Sequence, residues 1–271
     1  MSLSKEAIQL VTDTALMATG KALNTYSPTA ILPEGAKVVD LEKYQIGRSR
    51  FRGTLSTNSL VDFSAYVTER AVEGARGFIN QDAMACTLIF NLGTDVAPGH
   101  ADDRAVLSLK SSAGYKAAQE VPGRAMSQKD LSDWIEDWNT SLIAVDEAGQ
   151  HMSIVKAIAA VRTITIKASS ESDHAVSETR TSRSVMDQIE ATSKETLPAS
   201  LVFSVVPYEG LSMREITLRV SVITSGSQPV LKLRWVGEEV QREEIAQEFK
   251  SVLDAQIGEA AKLTLGVFDP K

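Results

Sequence analysis

The spacing of apolar residues switches between two periods along this chain, and that switching restricts its fold more than any other feature. From Ser59 to Glu73, Leu60, Phe63, Val67 and Ala71 recur at steps of three and four, the repeat of an amphipathic helix. From Met84 to Leu92 the step becomes two, through Met84, Cys86, Leu88, Phe90 and Leu92, and Ala105, Leu107 and Leu109 repeat it. Two strands on either side of the loop 93–103 follow. A helix opening at Ser127 places Leu131, Trp134, Ile135, Trp138 and Leu142 on one face, and a shorter helix is expected at about 151–161. Ser59 with Asp62, and Ser127 with Asp130, have the spacing of helix capping boxes.

The second half is richer in strands, expected at 164–168, 201–206, 216–223 and 230–236, with a polar Ser/Thr/Arg stretch between the first two. The Ser225-Gly226-Ser227-Gln228-Pro229 turn makes the last two strands a hairpin. A closing helix over 238–257 carries Ile245, Phe249, Val252, Leu253 and Ile257, and Gly258 stands where a C-terminal cap belongs. Another hairpin is expected from 37–44 and 47–56. Strands and helices come in groups rather than in strict alternation, which predicts an α+β fold of mainly antiparallel sheets with flanking helices.

The first 35 residues read as an N-terminal helical arm and linker. Ser4 can cap a helix in which Ile8, Val11, Ala15, Ala18 and Ala22 form a stripe, while Leu10, Leu16, Met17 and Leu23 lie off it. Such a helix wants contacts on two sides, which predicts a homo-oligomer with Ile8, Val11, Ala15 and Leu16 at the interface. Pro28, Pro33 and Gly35 end it. The body is then 36–271, read as either one unit or two lobes, 36–162 and 163–271.

Charge separates by element. The chain is acidic overall, at net -7, and this opposes indiscriminate binding to nucleic acid or anionic lipid. Residues 37–56, however, hold Lys37, Lys43, Arg48, Arg50 and Arg52 against Asp40 and Glu42, whereas 238–259 hold seven acids against Arg242 and Lys250. On a strand, Arg48, Arg50 and Arg52 would share one face at about 6.5–7 Å intervals, near the phosphate spacing of an extended single strand. Arg219, Lys232 and Arg234 fall on the less apolar face of the last hairpin. With Lys43 these six arginine and lysine residues are the candidate nucleic-acid contacts, a basic sheet surface backed by acidic helices. A solvated face, or pairing with carboxylates, is the plainer reading of the same pattern.

Enzymatic constellations are sparse. His100, Asp102 and Asp103 lie together after Pro98-Gly99, but His151 and His174 have no metal-ligand spacing, so the cluster reads as loop-stabilising. Asp130, Asp133, Glu136 and Asp137 read as the wet face of a helix whose other side carries the tryptophans. The chain lacks GxSxG, Walker A and GxGxxG patterns. The single cysteine, Cys86, sits on an apolar alternating face, so no intrachain disulfide can form and a thiolate metal cluster is excluded. No catalytic residue, metal or organic cofactor is expected. The start Met1-Ser2-Leu3-Ser4-Lys5-Glu6 has no signal-peptide pattern and no run approaches the ~18 apolar residues of a membrane span, which predicts a cytoplasmic protein with no membrane partner.

Asn91-Leu92-Gly93, Pro98-Gly99-His100-Ala101-Asp102, Leu107-x-Leu109 and Ser127-Gln128-Lys129-Asp130-Leu131 leading to Trp134-Ile135-Glu136-Asp137-Trp138 carry a family likeness. In these segments, and in length and element order, the chain resembles the YfdQ-like proteins of phages and prophages. The resemblance implies a bacterial host cytoplasm during phage development, among DNA-metabolism functions, and brings no catalytic residues with it. The element order of 37–145 also looks loosely like that of single-strand annealing proteins, an analogy of fold only. The expected function is a non-enzymatic, self-associating protein acting on or beside nucleic acid in recombination, replication or protection, with single-stranded DNA as partner. Counter-defence through binding a host protein, or a shell-forming structural role, are the alternatives, and an enzyme ranks last.

Overall fold

The computed structural model describes residues 4–20, 44–48, 50–164, 196–224 and 229–270. The chain divides into two compact units, Met1–Phe51 and Arg52–Lys271. In the first, α1 (Lys5–Gly20) starts as expected, with the Ser4 hydroxyl accepting from the Ala7 N–H at 3.3 Å. Ile8 and Val11 are 54% and 66% exposed, and Ala15 is exposed too. Leu16 falls within the helix, and its side chain lies outside the described residues.

The second unit is α+β, with two five-stranded sheets. The first sheet has the order β1-β4-β3-β2-β10, formed by β1 (Gly53–Thr57), β2 (Arg76–Asn80), β3 (Ala85–Ile89), β4 (Asp103–Ser108) and β10 (Lys262–Leu265). Its central pairs are antiparallel and both outer pairs are parallel. Alternation puts Cys86 and Leu88 of β3, Ala105 and Leu107 of β4 and Ile79 of β2 on one buried face. Helix α2 (Leu60–Arg70) covers the β1–β4 side, burying Leu60, Phe63 and Val67. Its cap is Ser59, whose side chain accepts from the Asp62 N–H.

The hairpin expected over 37–56 needs correction. Residues 37–43 and Ser49 lie outside the described residues, and 44–48 and 50–52 contain no strand. Pairing starts at Gly53, whose N–H donates to the Asp102 carbonyl at 2.9 Å, and β1 runs parallel to β4 in the register Gly53↔Asp103 to Thr57↔Leu107. A parallel partner needs a long crossover, here through α2, β2 and β3, so no local turn signal marks it. Strand β2 has no counterpart in the apolar periodicity, because Gly74 and Gly77, just after the helix that begins at Ser59, look like a helix stop in sequence. Gly77 is instead a strand residue at a close approach: a Cβ there would meet the end of the Leu263 side chain on β10, which would have to turn aside.

The second sheet, β6-β5-β7-β8-β9, is antiparallel throughout. Its strands are β5 (Leu142–Val145), β6 (His151–Met152), β7 (Ser200–Val205), β8 (Arg214–Thr224) and β9 (Pro229–Trp235). The last two pair as expected, while their turn, 225–228, lies outside the described residues. So does the strand expected at 164–168, apart from Ile164. The sheets are interleaved in sequence: β5 and β6 precede residue 163 yet join β7–β9, and β10 returns to the first sheet. The inner face buries Leu142, Leu201, Phe203, Ile216, Leu218, Leu231 and Leu233.

Helices α3 (Ala113–Glu120), α4 (Gln128–Asp137) and α5 (Ile154–Arg162) pack on that inner side. The Ser127/Asp130 capping box of α4 is reciprocal. Gln128 Nε2 donates to the carbonyls of Val161 and Ile164 at 2.9 and 3.0 Å, tying α4 to the end of α5, where helix carbonyls lack partners. The outer edge of β9 is covered by the segment after α3: Gly123 N–H donates to Leu233 O, and Met126 and Leu231 exchange both hydrogen bonds at 2.9 Å. Helix α6 (Glu238–Ile257) matches its expected span and buries Ile245, Phe249, Leu253 and Ile257, ending at Gly258.

Arg214 of β8 fastens α6 to the sheet through Glu244 at 3.1 Å and Glu248 at 2.6 Å, and Glu248 also accepts from the Ser212 N–H at 2.7 Å. Burial alone would raise the Glu248 pKa, but the bonds from Ser212 and Arg214 outweigh it and hold the carboxyl below its ordinary range. A depressed carboxyl stabilises the fold above its unfolded pKa, and that contribution is lost as pH falls through the folded value. Glu248→Gln should therefore cost about 1–3 kcal/mol near neutral pH, with the gap from the unchanged protein narrowing in acid. Urea unfolding at neutral and acidic pH checks this; an equal gap at both would contradict it.

Candidate nucleic-acid interface

Strand alternation sorts the hairpin residues by face. Leu218 and Val220 of β8, with Leu231, Leu233 and Trp235 of β9, point into the core, so Arg219, Lys232 and Arg234 project from the opposite face. Arg219 stands directly opposite Arg234, and Lys232 opposite Ser221. The register continues across the whole sheet: Arg219 faces Ser200 on β7, Ser200 faces Val145 on β5, and Val145 faces His151 on β6. One row thus crosses all five strands, at about 4.8 Å per step, with a histidine at one end and two arginines at the other.

At the arginine end the positive charges are not neutralised by direct contact. Among the described residues, Arg219, Lys232 and Arg234 form no ion pair. Like charges directly opposite on adjacent strands repel, and a bound anion would relieve that repulsion. Beside Arg219 lies a depression of about 460 Å³, lined also by Val145, Ser200 and Thr217 and by the two acids Asp146 and Glu147, so phosphate contacts belong to the Arg234 and Lys232 side. The face carries exposed Ile143 and Ile223 and no aromatic side chain on β5, β7, β8 or β9, so it suits phosphate contacts rather than base stacking.

The other sequence candidates are placed differently. Lys43 lies outside the described residues; Arg48 and Arg50 belong to the first unit and Arg52 to the second, and none stands on a strand. The alternation that aligned them therefore does not apply, and of the seven basic candidates the structure brings together Arg219, Lys232 and Arg234. His151 was missed because a strand of two residues carries no periodicity to read.

The enzymatic candidates are held in structural contacts. Asp102 accepts from Asn91 Nδ2 at 2.8 Å, and the buried Asp103 accepts from Arg70 at 2.7 Å, while His100 is exposed. Trp134 and Trp138 are half-buried and pack edge-on against the fully buried Phe203. Burial pushes the Cys86 thiol up to about 12, which removes its nucleophilic form at neutral pH. Among the described residues no group of three His, Cys, Asp or Glu is placed to hold a metal ion, and no helix is long and apolar enough to cross a membrane.

Comparison with known proteins gives a family and no activity. No curated protein and no solved structure matches the chain. The model of one family, described as an uncharacterized conserved protein family, DUF2303, matches residues 4–268. With nearly its whole length matched, from before α1 to beyond β10, the chain belongs to the DUF2303 family.

Proposed function

We propose that this protein is a non-enzymatic, self-associating nucleic-acid-binding protein that takes single-stranded DNA on the outer face of its second sheet. The observation carrying this reading is the Arg219–Arg234 cross-strand pair with Lys232 beside it, none of them in an ion pair among the described residues, on a chain of net -7. Concentrating positive charge on one sheet face, with acids gathered on α4 and α6, lets an acidic protein attract a polyanion locally. The likeness to YfdQ-like proteins supports a phage or prophage setting in a bacterial cytoplasm, in recombination, replication or protection. Self-association is favoured by the exposure of Ile8 and Val11, apolar side chains that a second copy of α1 would cover.

One experiment reads both parts. Mass in solution is measured by light scattering with and without a labelled single-stranded oligonucleotide, whose binding is titrated at two salt concentrations. The expected result is an oligomer that binds DNA with strong salt dependence. In the Arg219→Ser, Lys232→Ser, Arg234→Ser variant the salt slope should flatten by up to about 2, at ~0.7 per lost phosphate contact. Melting should be unchanged or slightly raised, since like charges have been removed. Absence of binding at low salt retires the nucleic-acid reading, and a monomer at micromolar concentration retires self-association.

A further inference from the structure

A second cavity has different chemistry. About 600 Å³ opens between the turn from Gln81 to Met84, helix α3, the loop carrying Tyr208, and α6. Its aromatic wall is Tyr115, 2% exposed, and Tyr208, with ring centroids 5.5 Å apart and tilted by 58°. Trp235 braces Tyr115 from behind, edge-on at 5.9 Å. Burial and the neighbouring Tyr208 phenol raise the Tyr115 pKa, so its hydroxyl stays neutral. Met84, also in the lining, is a buried non-glycine residue at φ +47, a left-handed conformation that persists where the surroundings enforce it. Here the Leu109 N–H, bonded to the Met84 carbonyl at 3.0 Å, helps enforce it.

The lining contains the carboxylates of Asp82, Glu239 and Glu243, and the last two lie four residues apart on one face of α6. Arg242 also lines the cavity, but its Nε and Nη2 both donate to Glu238 Oε1, at 3.0 and 2.7 Å, and its charge is taken up there. Among the described residues the three lining carboxylates have no ion-pair partner. An anionic ligand would meet that negative charge. A metal ion lacks a converging set of ligands here, since no such group occurs among the described residues. Carboxylates on the turn and on α6, with the half-buried Tyr208 ring in the same lining, suit an extended organic cation, held by charge-assisted hydrogen bonds at its nitrogens and by contact with that ring along its carbons.

We propose that this cavity binds an organic cation of the alkylammonium or guanidinium class, either a free polyamine or the side chain of a lysine or arginine. It is separate from the outer face of the second sheet, so the two readings stand or fall independently. The test is calorimetric titration of the full chain with spermidine and, in parallel, with a blocked arginine amide. One saturable site is expected for at least one probe, and the tighter of the two names the source of the cation. Glu239→Gln with Glu243→Gln should weaken that binding about tenfold or more, equivalent to the loss of about 1.4 kcal/mol. Glu69→Gln with Glu73→Gln, which removes equal charge from the exposed end of α2 and the residues after it, should leave it within about twofold. Both double variants replace exposed glutamates and should fold, which melting verifies. Lack of saturable binding by either probe, or equal weakening by the two double variants, overturns the proposal, because the attraction would then be to net charge alone.

Discussion

Gly99→Ala should destabilise the protein by roughly 2–4 kcal/mol, among the larger losses a single methyl group can cause. A Cβ at this position would overlap the carbonyl oxygen of Asn91, a backbone atom that cannot swing away as a side chain would. The same stretch is closed by several hydrogen bonds: Gly99 N–H to Leu92 O at 2.8 Å, Ala101 N–H to Asn91 O at 3.2 Å, and Asp103 N–H to Asn91 Oδ1 at 3.0 Å. Moving Asn91 disturbs all of them, together with Asp103, whose ion pair with Arg70 lies at the base of the loop beside the rings of Tyr66 and Phe90. Gly123→Ala is the matched control. Gly123 has φ +76 but open space around it, so alanine there should cost only the conformational term of about 1 kcal/mol. Urea unfolding of both variants decides the matter, and a loss at Gly99 no greater than at Gly123 would mean that the loop relaxes freely.

Phe203→Ala should cost about 3–5 kcal/mol, the range for deleting a fully buried aromatic side chain. Phe203 lies on β7, the middle strand of its sheet, with no exposed surface, and receives Trp134 and Trp138 edge-on at 5.5 and 5.4 Å. Truncation leaves a void that two indoles on one helix end cannot close without moving α4. Phe203→Leu, which keeps most of the volume, should cost less than half as much. The tryptophan emission should shift to the red in the alanine variant as water reaches the two indoles. A loss below about 1 kcal/mol would show that these contacts are not a packed core. By contrast, the triple substitution on the opposite face of the same sheet should leave stability nearly unchanged, since those side chains project away from the core.

Several elements were legible because their cause is local. The closing helix over 238–257 was readable to its last residue, because the 3.6-residue repeat from Ile245 to Ile257 is followed directly by Gly258. The reciprocal cap at Ser127 and Asp130 was readable because both partners lie within four residues. Arg219, Lys232 and Arg234 were placed on one face because a strand's alternation needs no knowledge of its partner. Helix α3 escaped notice, since its eight residues bury only Tyr115 and Ala118 and show too short a repeat. Strands β2 and β10 escaped because one carries a glycine that reads as a stop, and the other exposes most of its residues.

The sequence by itself determined the fold class, the burial of Cys86, the core-facing side of Trp134 and Trp138, and the side of the last hairpin on which its charges lie. All of these follow from residue type and from periods that a few neighbouring positions define. Tertiary structure alone decided that β1 pairs in parallel with β4, fifty residues on, and ended the arginine stripe at 48–52 by starting the strand at Gly53. It also set Arg219 against Arg234, aligned His151 with them across five strands, and gathered Asp82, Tyr115, Tyr208 and Glu239 around one cavity. Register and juxtaposition between distant segments depend on which buried faces meet, and pattern within one segment carries no record of its partner.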